Sequence, residues 1–272
     1  TPRKSGNTRN ERMKTLVVAN QKGGVGKTSI LVHLASDFLE RGLKVVVIDI
    51  DTQANASYTL QSFRSSLVAS ELFAGVPPGS WPHTTINFTD AKCQRMILIG
   101  SDIGLANLEK KMSLAEAGLK FLEAIKTLDA QGFDVCLIDT APSLGVTMAA
   151  ALLAADYVLS PIELEAYSIQ GIKQMVTTIA HLRKANPKLK FLGMVPSKVD
   201  ARNPRHARHL EELERAYPQL MIPTGVGLRS SIADALASRV PVWKIRKTAA
   251  RKATQEIRAL AAHVFEKMEM TQ

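Results

Sequence analysis

Lys22-Gly23-Gly24-Val25-Gly26-Lys27-Thr28-Ser29 is the stretch that decides how this chain is read. A phosphate-binding loop has the form G-x-x-x-x-G-K-[ST]. Its glycines allow backbone angles that a Cβ would forbid, so successive N–H groups point at one anion while the lysine reaches the β/γ-phosphates. The chain keeps the closing Gly26-Lys27-Thr28, but Gln21 stands where the first glycine would be, with a second lysine, Lys22, beside it. Leu16-Val17-Val18-Ala19 upstream reads as a short buried strand. Ile30, Leu31, Leu34, Ala35, Phe38 and Leu39 downstream recur at helical spacing, and Gly42 is placed to end that helix. Strand, glycine loop and helix thus come in the order that aims a helix N-terminus at an anion. Gly23, Gly24, Val25, Gly26, Lys27, Thr28 and Ser29 are the expected nucleotide ligands, with the Thr28 hydroxyl on Mg²⁺.

Outward from the loop, apolar strands alternate with amphipathic helices. Strands are expected at 44–49, 95–99, 133–139, 157–160, 191–195 and, last and short, 220–222; residues 61–90, with Pro77, Pro78, Gly79 and Pro82, are expected to be irregular. Helices are expected over 105–128, with a break near Met112-Ser113, and over 169–184. Near-continuous apolar strands between such helices predict an α/β, doubly wound, mostly parallel sheet with helices on both faces. Residues 1–12 carry basic side chains without hydrophobic period and read as a disordered tail, an extension ahead of an internal start at Met13. Residues 13–272 then form one domain, since no internal linker or repeat divides them.

Carboxylates complete the site. Asp49-Ile50-Asp51-Thr52-Gln53 follows the second strand and Asp139-Thr140-Ala141-Pro142 ends the fourth, and strand C-terminal ends converge on the ligand crevice of such sheets. An apolar strand ending in aspartate matches a Walker B element, which positions Mg²⁺ and its waters. One such aspartate alone is as readily a helix cap, but three strand ends carrying a phosphate loop, D-x-D and D-x-x-P in order favour a hydrolytic site.

The set K-G-G-V-G-K-T-S, D-I-D-T-Q-A-N-A-S and L-I-D-T-A-P-S-L-G resembles the ParA/MinD branch of deviant Walker A P-loop ATPases, from Met13 to Met270. Ser160-Pro161-Ile162-Glu163, Val195–Asp200 and Gly227–Ala235 strengthen the likeness to ParA-type plasmid partition proteins. It departs at Thr52 and Ala141, where prolines are usual, and neither change removes a charged or hydroxyl ligand. The resemblance implies that Lys22 reaches across an ATP-state homodimer to the partner's phosphates, and that Asp51 positions the attacking water. It implies that Asp139 serves Mg²⁺ largely through water with Asp49 nearby, and that Lys198, Asp200 and Pro223 lie on the adenine side. It further implies ATP/ADP and Mg²⁺ as cofactors, slow hydrolysis stimulated by a ParB-type centromere-binding protein similar to KorB, and a cytoplasmic, nucleoid-associated location.

The formal net charge of +10 points to a polyanionic partner. Lys244, Arg246, Lys247, Arg251 and Lys252 form one basic group, with Arg239 and Arg258 at its ends; Arg202, Arg205 and Arg208 open a helix after Pro204, and Arg229 heads another. Such side chains bind phosphate backbone without reading sequence, so non-specific double-stranded DNA is the expected partner. Trp243 is expected to pack rather than stack on bases. A membrane partner, as in MinD-like ATPases, is the alternative; no apolar run is long enough to span a bilayer, and the stripe Ile257, Leu260, Ala261, Val264, Phe265 and Met268 reads as core-packing. Cys93 and Cys136, the only cysteines, are expected to be free thiols rather than cluster ligands.

Overall fold

A computed structural model describes residues 12–75, 95–165 and 168–270. The Pro77–Pro82 stretch, Cys93 and the tail before Arg12 lie outside the described residues. Arg12 itself, read as part of the tail, ion-pairs with Asp156 beside the first strand. In chain order the elements are β1 (Lys14–Val18), α1 (Lys27–Glu40), β2 (Val45–Asp49), α2 (Asn55–Thr59), β3 (Arg64–Val68), α3 (Glu71–Ala74), β4 (Met96–Gly100), α4 (Gly104–Lys111), α5 (Leu114–Ala130), β5 (Val135–Asp139), α6 (Val146–Ala154), β6 (Tyr157–Glu163), α7 (Ser168–Ala185), β7 (Lys190–Val199), α8 (Pro204–Ala216), β8 (Val226–Gly227), α9 (Ser230–Ala237) and α10 (Ala250–Lys267).

Among the described residues eight strands form one parallel sheet in the order β3-β4-β2-β5-β1-β6-β7-β8. Strands β2 to β5 lie on one side of β1 and β6 to β8 on the other, with β5 inserted between β1 and β2, so the C-terminal ends of β1, β2 and β5 lie together at the crevice. Strand residues alternate between two cores. Leu16, Val18, Val45, Val47 and Leu137 face α1 and α10, whereas Val17, Val46, Ile48 and Ile138 face α5 and α6. Strands covered on both faces are mostly apolar, which is why residues 16–18, 45–48 and 135–138 read as unbroken apolar runs.

Helix boundaries follow local chemistry. Gly42, at φ 89°, takes the left-handed position just beyond α1. The expected break near Met112 separates α4 from α5, where the Ser113 side chain accepts from the Glu116 N–H at 3.2 Å.

Two expectations are corrected. Part of the stretch read as irregular forms the edge strand β3 and the short α3; only Leu67 of β3 is buried, so Arg64-Ser65-Ser66-Leu67-Val68 shows little apolar pattern. The expected strand at Leu220–Ile222 makes a single bridge, Met194 to Met221, and Pro223 then removes the next N–H donor. The last strand is instead the two-residue β8.

Phe121 is fully buried and stacks on Phe73 with ring centroids 4.7 Å apart. Phe121→Ala is expected to cost about 3–5 kcal/mol in chemical denaturation. A loss below about 1 kcal/mol would mean that this face of the sheet is not close-packed.

Candidate functional site

The loop between β1 and α1 is a cradle of backbone. Gly24 and Gly26 sit at φ 77° and 90°, conformations that side chains rarely adopt. No side chain caps α1, so its first N–H groups face the loop's concavity. A Cβ on Gly26 would lie 2.8 Å from Ser197 Oγ. The cavity above the loop measures ≈ 570 Å³; Gly23, Gly24, Gly26, Lys27, Thr28 and Ser29 line it, with Asp51, Tyr58, Pro142, Lys198 and Leu236 among the other walls. Val25, grouped with these ligands by sequence, is buried and turned to a second cavity of ≈ 180 Å³ on the other side of the loop.

Parallel pairing sets Asp49 of β2 directly beside Asp139 of β5, and Val18 of β1 on its other side. Partners in register point to the same face, so two buried carboxylates become neighbours. Thr28 Oγ1 donates to Asp139 Oδ2 at 2.6 Å. Asp139 Oδ1 is buried with no hydrogen-bond partner. Burial, with the Asp49 carboxylate next to it, pushes the Asp139 pKa up to about 8, against the Thr28 bond and Lys27.

Asp49 is spent differently. Its Oδ2 accepts from Ser57 N and Ser57 Oγ, both at 2.7 Å, and its Oδ1 from Asp51 N at 3.1 Å. Ser57 Oγ in turn accepts from Ser101 N at 2.8 Å, so Asp49 anchors the D-x-D turn against α2 and β4. Of the two carboxylates assigned to a metal, Asp139 is the one with an oxygen to offer. Asp51, on the cavity wall, accepts from Gln53 N at 2.9 Å. Lys27 Nζ lies 3.3 Å from the Lys22 carbonyl that accepts its bond; burial lowers its pKa, against Asp139 and Asp51.

An unpartnered buried carboxylate oxygen beside a threonine hydroxyl, next to a cradle of N–H groups, suits a cation bridged to a phosphate. Among the described residues no three His, Cys, Asp or Glu side chains gather into a metal cage. A divalent ion held here therefore needs oxygens from its ligand and from water, which is how Mg²⁺ is ordinarily bound.

Lys22 is not among the walls of the main cavity and lines the second one together with Val25. Its ammonium donates to Glu165 Oε2 at 2.5 Å and Glu163 Oε2 at 3.0 Å, and its side chain is 48% exposed. Burial acts to lower its pKa, and the two glutamates outweigh that to raise it. The role of Glu163 and Glu165 was not apparent from their spacing, which carries no hydrolytic motif; only the adjacency of β6 and β1 brings them to the loop.

Residues 13–191 match the AAA domain family AAA_31. Two IncC proteins of Escherichia coli are 68% and 57% identical over 265 and 270 residues, covering 97% and 99% of this chain and 72% and 74% of theirs. The chromosome-partitioning ATPase Soj of Thermus thermophilus is 31% identical over 192 residues, 70% of this chain and 72% of its own. The chain belongs to the ParA-type family of partition ATPases. A Borrelia burgdorferi plasmid partition protein solved with AMPPNP shares the fold at TM-score 0.70 and 23% identity, over 94% of this chain and 100% of the other. So does a cobyrinic acid a,c-diamide synthase of Mycobacterium smegmatis with ADP and magnesium, at 0.71 and 24%, over 94% and 96%.

In this ParA-type chain the fold sorts the basic residues. Arg229 is tied to Glu256 by bonds of 2.6 and 2.9 Å, and Arg258 pairs with Asp37 and Glu40 while lying 3.7 Å over the Trp243 ring. Arg239 lies over Tyr58 at 4.3 Å. The Arg229 and Arg258 pairs brace helices against one another, whereas Arg239 and Tyr58 are both exposed. Lys244, Arg246, Arg251 and Lys252 are exposed, and so is Lys247, which pairs with Asp234 at 2.6 Å. Arg205 and Arg208 are exposed on α8, and Arg202 is 91% exposed although paired with Asp200. Trp243 packs edge-on against His33 and donates to Glu40, as expected of a packing residue. Lys198 lines the main cavity. Asp200 binds Arg202, and Pro223 is exposed in the turn before β8.

Gly26→Ala combines a left-handed φ with a contact to Ser197 inside van der Waals distance. We expect it to lower stability by about 1–3 kcal/mol in urea titration, and to abolish nucleotide binding. A variant as stable as the parent would mean that the loop does not hold this conformation.

Proposed function

We propose that this chain is a plasmid-partition ATPase that works as an ATP-dependent dimer on DNA. The observation that carries the proposal is the division between its loop lysines. Lys27 is buried in the cavity, whereas Lys22 projects away from it, half-exposed on the acidic end of β6. A lysine directed outward at a phosphate loop is placed for the phosphates of a second copy rather than its own.

The nucleotides are ATP and ADP, bound with Mg²⁺; the Borrelia protein and the synthase named above were solved with AMPPNP and with ADP and magnesium. The N–H groups of Gly23–Ser29 and the Lys27 ammonium hold the phosphates. Thr28 Oγ1 and, through water, Asp139 hold the ion, which supplies charge neutralisation when bound. Asp49 keeps the D-x-D turn in place. Asp51 orients the attacking water, and Lys22 of the second copy stabilises charge developing on the phosphates. Asp200 and Pro223 are assigned to the adenine side.

Lys244, Arg246, Lys247, Arg251 and Lys252, with Arg202, Arg205 and Arg208, form the surface for non-specific double-stranded DNA, and Arg229 stays with Glu256. A ParB-type, KorB-like centromere-binding protein stimulates hydrolysis, and DNA binding makes the protein nucleoid-associated. The MinD-like membrane alternative lacks its apolar face: Ile257, Leu260, Ala261, Val264, Phe265 and Met268 are all buried, and no described helix is long and apolar enough to cross a membrane.

ATP turnover measured with and without the ParB-type protein and DNA tests the whole reading; equal rates in all conditions would refute the stimulation. Lys22→Ala is expected to lose hydrolysis and ATP-dependent dimerisation while keeping most nucleotide binding, as read by sedimentation and turnover. Normal turnover and dimerisation would sink the trans role. Asp51→Ala is expected to trap an ATP-bound dimer, and unimpaired turnover would refute that assignment. Binding to random duplex DNA should require ATP and fall steeply with salt. Salt-insensitive binding would remove the DNA surface.

A further inference from the structure

Lys198 occupies a backbone conformation that a lysine does not choose. Its φ of 54° lies in the left-handed region, where glycine or asparagine is at ease and a residue with a long side chain is strained. The position is a bulge. Pairing between β7 and β8 steps from Ser197–Val226 to Val199–Gly227, two residues of one strand against one of the other. Bulges with a left-handed residue ordinarily carry glycine there, and beside active sites they re-aim a side chain. Here the side chain re-aimed is cationic and the space it enters is the nucleotide cavity, which Lys198 lines.

The target is visible in the geometry. The Lys198 ammonium lies 3.9 Å from the point that a Cβ on Gly24 would occupy, at the crest of the phosphate cradle. Its neighbour Ser197 packs against Gly26 on the same loop. Glu163, the register partner of Ser197 on β6, accepts from Lys198 Nζ at 3.1 Å through Oε1 and from Lys22 Nζ at 3.0 Å through Oε2. One carboxylate thus serves as counter-ion to a lysine on each side of the loop.

We propose that Lys198 is a further phosphate-binding residue of this site, held at the rim by Glu163 and positioned by the strained bulge to swing onto the nucleotide's phosphates. This rests on the nucleotide reading above and replaces the adenine-side role that the family resemblance implies for Lys198. A phosphate offers the ammonium a second, more highly charged acceptor within reach of the same tether. The strain persists because glycine, which would relieve it, carries no charge to deliver.

The test is equilibrium binding of ATP and of inosine triphosphate, whose base differs, to the full chain and to Lys198→Met and Lys198→Gly. Loss of one charged hydrogen bond predicts about tenfold weaker binding in both variants, equal for the two triphosphates. Both variants lose the Glu163 ion pair and only Lys198→Gly sheds the left-handed strain, so without nucleotide Lys198→Gly should unfold a few degrees above Lys198→Met. This separates a site residue from a merely structural one. Unchanged affinity in Lys198→Met, or a loss confined to ATP, would overturn the inference while leaving the nucleotide reading intact. A parent chain that binds neither triphosphate would overturn both.

Discussion

Asp139 ends the central strand β5 with one oxygen on Thr28 and the other buried against nothing that donates to it. Its register neighbour is a second buried carboxylate, Asp49. Burying one ionised carboxylate without a partner is costly, and placing two side by side adds repulsion. The crevice is therefore electrostatically unfinished. Lys27 answers part of the charge at the expense of its own burial, and Ser57, Asp51 N–H and Thr28 answer more. What is left is an oxygen, a hydroxyl and a ring of backbone N–H groups, a combination that is relieved by a cation and an anion arriving together.

The arrangement of positive charge around that crevice has the same logic. Lys27 is inside, Lys198 stands at the rim, and Lys22 faces outward. The latter two share Glu163, so neither is free to collapse into the cradle and neutralise it without ligand. Farther away, Arg229 and Arg258 are consumed by Glu256, Asp37 and Glu40. These contacts bind α9, α10 and α1 to one another and leave Lys244, Arg246, Arg251 and Lys252 directed at solvent. A net charge read from composition therefore overstates the basic surface, because part of it is internal bracing.

Much of this was legible in the order of residues. The glycine loop, the D-x-D turn and the aspartate after residues 135–138 were legible as strand ends because strands of a covered parallel sheet are mostly apolar, so a polar cluster after an apolar run marks the exit. The break at Ser113 was legible because a serine followed three residues later by glutamate is a local signal for a helix start, and here Ser113 caps the Glu116 N–H. β3 was not, because an edge strand with one buried side chain carries almost no apolar signature. Nor was the diversion of Val25 to the far side of the loop, since Gly24 and Gly26 on either side of it line the main cavity.

Sequence by itself determined the class of fold and the phosphate loop, since both depend on short-range rules of backbone freedom, burial and spacing, and its motifs carried the resemblance to the family. Only the tertiary structure decided how the charges are shared. Asp49 became an anchor and Asp139 an available ligand through pairing between strands separated by 90 residues in sequence. Glu163 came to hold Lys22 and Lys198 because β6 lies between β1 and β7. Electrostatic partnership acts through space over a few ångströms, and no local pattern records which distant strand will supply the partner.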